Sequence, residues 1–163
     1  MNNDNDTEIR VLAATGVCGS GFREASLAET MRRQPHFIGC DCGSTDPGPY
    51  PLGAGVTAFP RVAIKRDLRL MPLAARHAGI PLLLGSAGTA GGESHIDVVK
   101  NILYEIAAQE GLRFPLAVIH TEQDKGYLKQ RLREGRIKKA SPPTASMRMP
   151  IRTCMWNRTA RSI

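Results

Sequence analysis

Four short apolar segments, each followed by a glycine-rich or polar loop, constrain the fold of this chain more than any other feature. The segments are Ile9–Ala14, Phe37–Asp41, Pro81–Gly85 and Leu116–Ile119. Their apolar residues do not alternate with polar ones, which is typical of strands buried on both faces of a parallel sheet. We therefore predict an α/β domain with an open, mostly parallel sheet of about four strands and helices on both faces. This is an incomplete doubly wound domain, followed by an irregular C-terminal tail.

Capping patterns predict where helices start between these strands. Ser26-x-x-Glu29 and Ser94-x-x-Asp97 match the capping box, in which a side chain binds the free amides of the first helical turn. Thr121-x-x-Asp124 predicts the cap of a last helix. The predicted helices are 27–34, 66–77, 96–109 and a last one ending near residue 134.

Glycine and proline refine the helix predictions. Gly79 and Gly111 are expected to end helices, because glycine readily adopts the left-handed conformation of a helix C terminus. Pro72 lies inside the 66–77 pattern, where it removes one backbone donor. That helix is therefore expected either to start near Met71 or to kink at the proline.

The positive charge of the chain is concentrated at its end. The 163 residues carry a net charge of +7, and residues 136–163 contain 7 of the 22 basic residues and no acidic residue. The remaining 15 basic residues (22 − 7) balance the 15 acidic ones. Trp156 is the single aromatic residue of this tail, so base stacking has little support and we expect no nucleic-acid partner.

Composition sets the expected domain organisation and compartment. We expect a disordered stretch over 1–8, the α/β domain over 9–137 and a basic irregular tail over 138–163. The tail is either a natural disordered segment or an out-of-frame translation, and both interpretations stay open. The longest apolar run is Ile80–Leu84 and the first residues are acidic, so we expect neither a membrane span nor a secretory signal. Four cysteines do not make a disulfide framework, which favours the cytoplasm.

The loops that follow the strands are the expected ligand site, because ligands of open parallel sheets bind beyond the carboxyl ends of the strands. Loop one, Thr15–Gly21, offers Gly16, Gly19 and Gly21 as an anion-binding nest of backbone amides. The same glycines also suit an ordinary tight turn. Loop one lacks both the dinucleotide-binding and the P-loop spacing.

Loop two, Asp41–Tyr50, is the most distinctive stretch of the chain. Asp41 and Asp46 are candidate proton-transfer groups, and Ser44 and Thr45 are candidate ligand-binding residues. Long loops without secondary structure are often functional. The alternative is that Asp46-Pro-Gly forms an ordinary turn.

Loops three and four complete the predicted cleft. Loop three, Gly85–Gly92, precedes a helix start, and its candidate anion-binding residues are Gly85, Ser86, Gly88 and Gly91. His95, in the first turn of that helix, is a candidate base or electrophile. In loop four, His120–Asp124, the side chains of His120 and Glu122 are expected to reach the same cleft. The alternative is that His120 simply ends a strand.

Three cysteines are expected to meet near this cleft. Cys40 and Cys42 share one face of a strand, and Cys18 lies in loop one. Nearby glycine amides suggest a thiolate nucleophile at Cys18 or Cys42. The spacing of cysteine and histidine does not match a zinc site, so no metal is expected.

Five stretches of the chain together resemble the acyclic terpene utilisation family of AtuA type. They are Arg10-Val-Leu-Ala-Ala-Thr-Gly16, Gly39-Cys-Asp-Cys-Gly-Ser-Thr-Asp-Pro-Gly-Pro-Tyr50, Lys65-Arg-Asp-Leu68, Ile80-Pro-Leu-Leu-Leu-Gly-Ser-Ala-Gly88 and His120-Thr-Glu-Gln-Asp124. The resemblance covers residues 9 to about 137, the N-terminal portion of the longer family members. It implies that the cleft is lined by Asp41, Ser44, Thr45, Asp46, Gly85, Ser86, Gly88 and His120, without assigning their roles.

The resemblance implies a bacterial cytoplasmic protein in the breakdown of citronellol- or geraniol-like branched acids or their CoA thioesters. The ligand would be a small carboxylate or a CoA-type molecule, and the CoA moiety of the substrate would be the cofactor-like group. An enzyme, a non-catalytic nucleotide- or CoA-binding or assembly subunit, and an inactive truncated product remain alternatives. An incomplete sheet also leaves an edge through which two copies can pair.

Overall fold

The three N-terminal apolar segments form an open parallel sheet. The computed structural model describes residues 8–43 and 49–137. Its strands are β1 (Val11–Ala13), β2 (Phe37–Gly43) and β3 (Leu82–Thr89), in the order β1-β2-β3. Val11 pairs with Phe37, and Ile38 with Leu82, both in parallel register. The predicted open, parallel α/β sheet is therefore confirmed.

Helices separate and follow the strands. They are α1 (Glu24–Met31), α2 (Tyr50–Ala54), α3 (Arg61–Ala78), α4 (Glu93–Glu110) and α5 (Lys125–Arg133). The chain divides into two compact units, residues 1–122 and 123–163, so that α5 belongs to the second unit. No helix in the described ranges is long and apolar enough to cross a membrane.

The capping boxes misplace two helix starts. α1 begins after Arg23 and α4 after Gly92, and neither preceding residue makes a side-chain cap. Ser26 and Ser94 therefore lie inside their helices, where tertiary packing rather than local capping sets the start. The predicted ends are confirmed, because Gly79 and Gly111 cap α3 and α4 in the left-handed conformation.

α3 is longer than its sequence pattern predicted. It begins directly after Pro60 and runs through Pro72 to Ala78, so it does not start near Met71. The buried face of the helix explains this continuity. Ile64, Leu68, Met71 and Ala75 recur at helical spacing and are each at most 3% exposed. Burying this stripe outweighs the backbone hydrogen bond that the proline removes.

The core lies between one face of the sheet and the helices α3 and α4. Ile38 of β2, Leu68 of α3 and Ile102 of α4 are fully buried in it. On the other face, Val11 of β1 is 54% exposed and Leu83 of β3 is 56% exposed. The described residues thus cover one face of the sheet, and the predicted helix layer over the second face is not formed by them.

Ion pairs join the outer sides of α3 and α4. Glu105 of α4 pairs with Arg61 and, at 3.0 Å, with Lys65. Glu110 pairs with Arg69 one turn further along. Hydrogen bonds from Arg61 and then Lys65 lower the pKa of the Glu105 carboxyl below its usual value.

The predicted fourth strand does not form. Leu116–Ile119 has no strand assignment, and Ile119 is 81% exposed. Pro115 has no amide to donate, and four residues gain few ladder hydrogen bonds against the entropy of ordering them. The segment Phe114–Ala117 instead flanks a cavity of about 240 Å³ that is also lined by Ile80, Pro81, Leu82 and Leu84. β3 is therefore an edge strand of the described sheet, and pairing with a second copy stays a prediction.

The second unit begins its helix with a side-chain cap. Asp124 Oδ1 accepts a hydrogen bond from the Tyr127 amide at 2.7 Å, so Asp124 is the N-cap of α5 and the prediction for Thr121 is wrong. The 138–163 tail, including Trp156, and residues 1–7 lie outside the described residues.

Candidate functional site

The loops after the three strands are joined by hydrogen bonds at the carboxyl edge of the sheet. The Cys18 amide of loop one donates to the Asp41 carbonyl at the end of β2, at 2.7 Å. The Ala58 amide donates to Thr89 Oγ1 at the end of β3, at 2.9 Å. The register places Gly43 beside Thr89. Loops from three separate parts of the sequence thus share one edge, as parallel strand order requires.

The glycine-rich loop one folds around a carboxylate of the chain itself. Asp67 Oδ2 accepts hydrogen bonds from the amides of Gly19, at 2.8 Å, and Gly21, at 3.0 Å. Asp67 is fully buried, and Arg66 Nη1 donates to its other oxygen at 2.9 Å. The expected nest of amides therefore exists, but an internal anion occupies it. Gly16 is exposed, with open space where a Cβ would stand.

Gly19 is required by close packing as well as by its backbone. Its φ is +101°, and a Cβ there would lie 2.7 Å from the Phe59 Cβ. No side chain fits this approach without displacing its neighbours. Arg66 of α3 makes a second contact with the chain directly after loop one. It donates to the Phe22 carbonyl at 2.8 Å, and its guanidinium lies 5.3 Å from the Phe22 ring centre.

The structure corrects the start of loop three, because β3 continues with an irregular register to Thr89 and thus includes Gly85–Thr89. This part of β3 contains two non-glycine residues with left-handed backbone. Ser86 has a φ of +46° and Thr89 a φ of +95°. Such conformations cost free energy and persist where the surroundings impose them, which is common at ligand sites. Gly88 packs against α4, because a Cβ there would lie 2.6 Å from the His95 carbonyl oxygen. Gly85 and Ser86 are exposed, whereas Gly91 is half-buried.

His95 holds α2 against α4. Its side chain is 1% exposed, and Nε2 lies 3.0 Å from the Pro51 carbonyl oxygen and 3.1 Å from that of Val56. Two carbonyl acceptors require the proton to be on Nε2, while Nδ1 faces Ser94 Oγ at 3.5 Å. This geometry favours a positioning role over the base or electrophile expected from the sequence.

An exposed histidine and two glutamates meet at the start of α4. His120 Nδ1 lies 2.8 and 2.9 Å from the two carboxylate oxygens of Glu93. Glu122 Oε2 accepts a hydrogen bond from the Glu93 amide at 3.0 Å, so it caps the helix from outside. His120 and Glu93 are about half exposed, at 57% and 50%. A carboxylate that fixes one ring nitrogen leaves the other nitrogen to exchange a proton with a ligand.

The predicted residues of loop two divide between described and undescribed parts of the chain. Asp41 is exposed, and its Oδ1 accepts a hydrogen bond from the Gly43 amide at 2.9 Å. Ser44, Thr45 and Asp46 lie outside the described residues.

The three cysteines meet, as the sequence predicted. Cys18, Cys40 and Cys42 are at most 6% exposed, and Cys40 Sγ donates to the Asp41 carbonyl at 3.3 Å. The sequence suggested a nucleophile at Cys18 or Cys42, and the directions of the pKa shifts correct this. The interaction with Cys40 raises the pKa of Cys18, and the interactions with Cys18 and Cys40 raise the pKa of Cys42. The interactions with Cys18 and Cys42 lower the pKa of Cys40, which is therefore the most acidic of the three thiols.

In the ranges 8–43 and 49–137, no group of three or more histidine, cysteine or acidic side chains is arranged to hold a metal ion. The cavity of about 240 Å³ lies beside the start of β3, at the opposite end of the sheet from the loops. It is not the site that the carboxyl-edge rule indicates.

Asp67 and Glu93 are the site residues that sequence reasoning missed. A signal for Asp67 existed, because it stands on the apolar stripe of α3 between Ile64 and Leu68. An acidic residue in such a stripe must be paired when it is buried. Glu93 had no comparable signal, since its contact with His120 spans 27 residues of sequence.

Comparison of the chain with protein-family models, with curated proteins and with solved structures finds no match.

Proposed function

We propose that this chain acts in the catabolism of acyclic terpenes and binds a branched carboxylate, or its CoA thioester, at the carboxyl edge of the sheet. The observation that carries this proposal is the contact between stretches that carry the family resemblance. Cys18, two residues after the first stretch, is hydrogen-bonded to Asp41 of the second. Asp67 of the third stretch holds loop one, and Glu122 of the fifth caps α4 directly after loop three.

Charge and exposure suggest where such a ligand would bind. The Gly19 and Gly21 amides are engaged by Asp67, and the Glu122 carboxylate stands at the N terminus of α4. An anionic group is therefore expected beside the exposed residue Ser86 of β3 rather than at those two positions. A residue with left-handed backbone, such as Ser86, can direct its amide at an anion, as nests do.

His120 is the proposed proton-transfer group. Its contact with Glu93 holds the ring through Nδ1 and leaves Nε2 to face a ligand. Both side chains are solvent-accessible, as a group that touches a ligand must be. Proton transfer by a positioned side chain contributes about 10²–10⁴-fold to a rate.

Binding is the first test, because it does not require the reaction to be known. The full chain is titrated by calorimetry with citronellyl-CoA, free citronellic acid, CoA and ATP. Saturable binding of the thioester or the free acid, tighter than that of ATP, supports the proposal. Absence of binding to all four ligands contradicts it.

Turnover separates an enzyme from a binding subunit. The bound thioester is followed by mass spectrometry with the original chain, His120→Gln and His77→Gln. The control His77 is an exposed residue in the last turn of α3. We expect conversion by the original chain and the control, and a loss of about 10²-fold or more in His120→Gln with an unchanged Kd. Tight binding without conversion favours the non-catalytic subunit.

A further inference from the structure

The buried cysteine cluster brings together thiols from two separate segments. Cys40 and Cys42 lie on the core face of β2, and Cys18 reaches them from loop one. The Cys18 amide donates to the carbonyl of Asp41, the residue between the two strand cysteines, at 2.7 Å. The backbone of loop one is thereby fixed beside the strand, with Cys18 Sγ directed back towards the Ile64 carbonyl at 4.0 Å.

Strand geometry decides which two cysteines can be linked. Residues two apart in one strand have Cα atoms roughly 6.6 Å apart at a rise of about 3.3 Å per residue. This is at the upper limit for a disulfide, whose Cα separation is mostly about 5.5–6 Å. Cys18 belongs to another segment, and its amide donates to the same Asp41 carbonyl that accepts from Cys40 Sγ at 3.3 Å, so these two residues meet at one atom. A bond between Cys18 and Cys40 therefore needs less distortion than one between Cys40 and Cys42.

We propose that Cys18 and Cys40 form a peroxide-reactive thiol pair, which hydroperoxides oxidise to a disulfide. In the first step, the Cys40 thiolate attacks the outer peroxide oxygen and the O–O bond breaks. The Cys40 sulfur is oxidised to a sulfenic acid, and the alkoxide or hydroxide that leaves takes a proton. In the second step, the Cys18 sulfur attacks the sulfenic sulfur and water leaves with the Cys18 proton. Overall, two thiols and one hydroperoxide give one disulfide, one alcohol and one water.

The electrostatics of the cluster suit this order of steps. The interactions with its two neighbours lower the pKa of Cys40, so it supplies the nucleophilic thiolate. The interaction with Cys40 raises the pKa of Cys18. Once Cys40 is a sulfenic acid, the neighbouring Cys18 is the thiol that can attack its sulfur in the second step.

The disulfide would tie loop one covalently to β2. Loop one is held to α3 by Asp67 and to β2 by the Cys18 amide. Because all three thiols are buried, entry of a small peroxide requires local opening of this loop. The reaction does not depend on the terpene substrate, so this inference stands or falls separately from the proposed function.

The test uses hydrogen peroxide on the full chain with Cys154→Ser, which leaves the three cluster thiols. Products are identified by intact mass and by peptide mapping without reduction. We expect loss of two hydrogen atoms and a peptide that links Cys18 to Cys40. Cys42→Ser should give the same link. Cys40→Ser should stay reduced, and Cys18→Ser should stop at a sulfenic acid that dimedone traps.

Three results would overturn the inference. These are a link that contains Cys42, equal oxidation of Cys40→Ser and its parent, or a folded parent that stays reduced while its urea-unfolded form is oxidised. Circular dichroism of each variant shows whether it is folded. If Cys40→Ser does not fold, Cys18→Ser and Cys42→Ser still decide between the two links.

Discussion

Removal of the Asp67 carboxylate should destabilise the chain more than removal of any exposed acidic group. Asp67 is fully buried and accepts hydrogen bonds from the amides of Gly19 and Gly21. Asp67→Ala leaves both amides without this acceptor. Hydrogen bonds to charged groups contribute about 1.5–3 kcal/mol each, so the expected loss is about 3–6 kcal/mol. Arg66 adds little to this sum, because its side chain is 42% exposed and stays hydrated.

The magnitude is large against the total stability of a domain, which is roughly 5–15 kcal/mol. Asp67→Asn is a smaller change to the same contact. Its amide oxygen can still accept from both glycines, but without the charge that makes such bonds roughly twice as strong. We therefore expect Asp67→Asn to retain about half of the stabilisation.

Urea unfolding followed by circular dichroism measures both losses, as a shift of the midpoint at constant slope. Asp97→Ala is the matched control, because Asp97 is an exposed acid whose partner Lys100 lies one helical turn away. We expect the control to change the free energy of unfolding by at most about 0.5 kcal/mol. If Asp67→Ala and Asp97→Ala unfold at the same urea concentration, loop one does not depend on the buried carboxylate and the reasoning fails.

Three further predictions concern other contacts. Gly19→Ala should cost at least about 1–3 kcal/mol in urea unfolding, because its Cβ would overlap Phe59, whereas Gly16→Ala, with open space around it, should be nearly neutral. His95→Ala removes the side-chain donor shared by the Pro51 and Val56 carbonyls, of which that of Pro51 still accepts from the Val56 amide, so we expect a loss of about 1–3 kcal/mol and a first proteolytic cut at α2; an unchanged cleavage pattern would argue against this contact. The depressed pKa of Glu105 means that its ion pairs stabilise the fold above the unfolded value of 4.5 and are lost as the pH falls through the folded value. Glu105→Gln should therefore lower Tm at neutral pH but not in strong acid, and an equal effect at both would contradict it.

The family resemblance and the terpene-related function remain predictions from five sequence stretches. The class of fold could be predicted from the sequence, because unalternating apolar strands and helix-ending glycines are local signals. Gly79 and Gly111 end their helices for a reason that no tertiary contact changes, namely the low cost of left-handed backbone at glycine.

Long-range contacts decided the rest. The apolar pattern of Leu116–Ile119 predicts a strand, but a strand also needs a partner, and partners are chosen by the whole fold. The start of α1 after Arg23 and the start of α4 after Gly92 could not be predicted either, because no capping pattern marks these positions.

The sequence by itself determined the class of fold, the edge at which the loops meet and the meeting of the three cysteines. These follow from parallel strand order and from the two-residue period of a strand. The tertiary structure alone decided that Asp67 fills the amide nest of loop one, that His95 is buried, and that His120 meets Glu93. Each of these joins residues at least 27 positions apart or depends on burial, and no local pattern encodes which distant group will satisfy a buried donor.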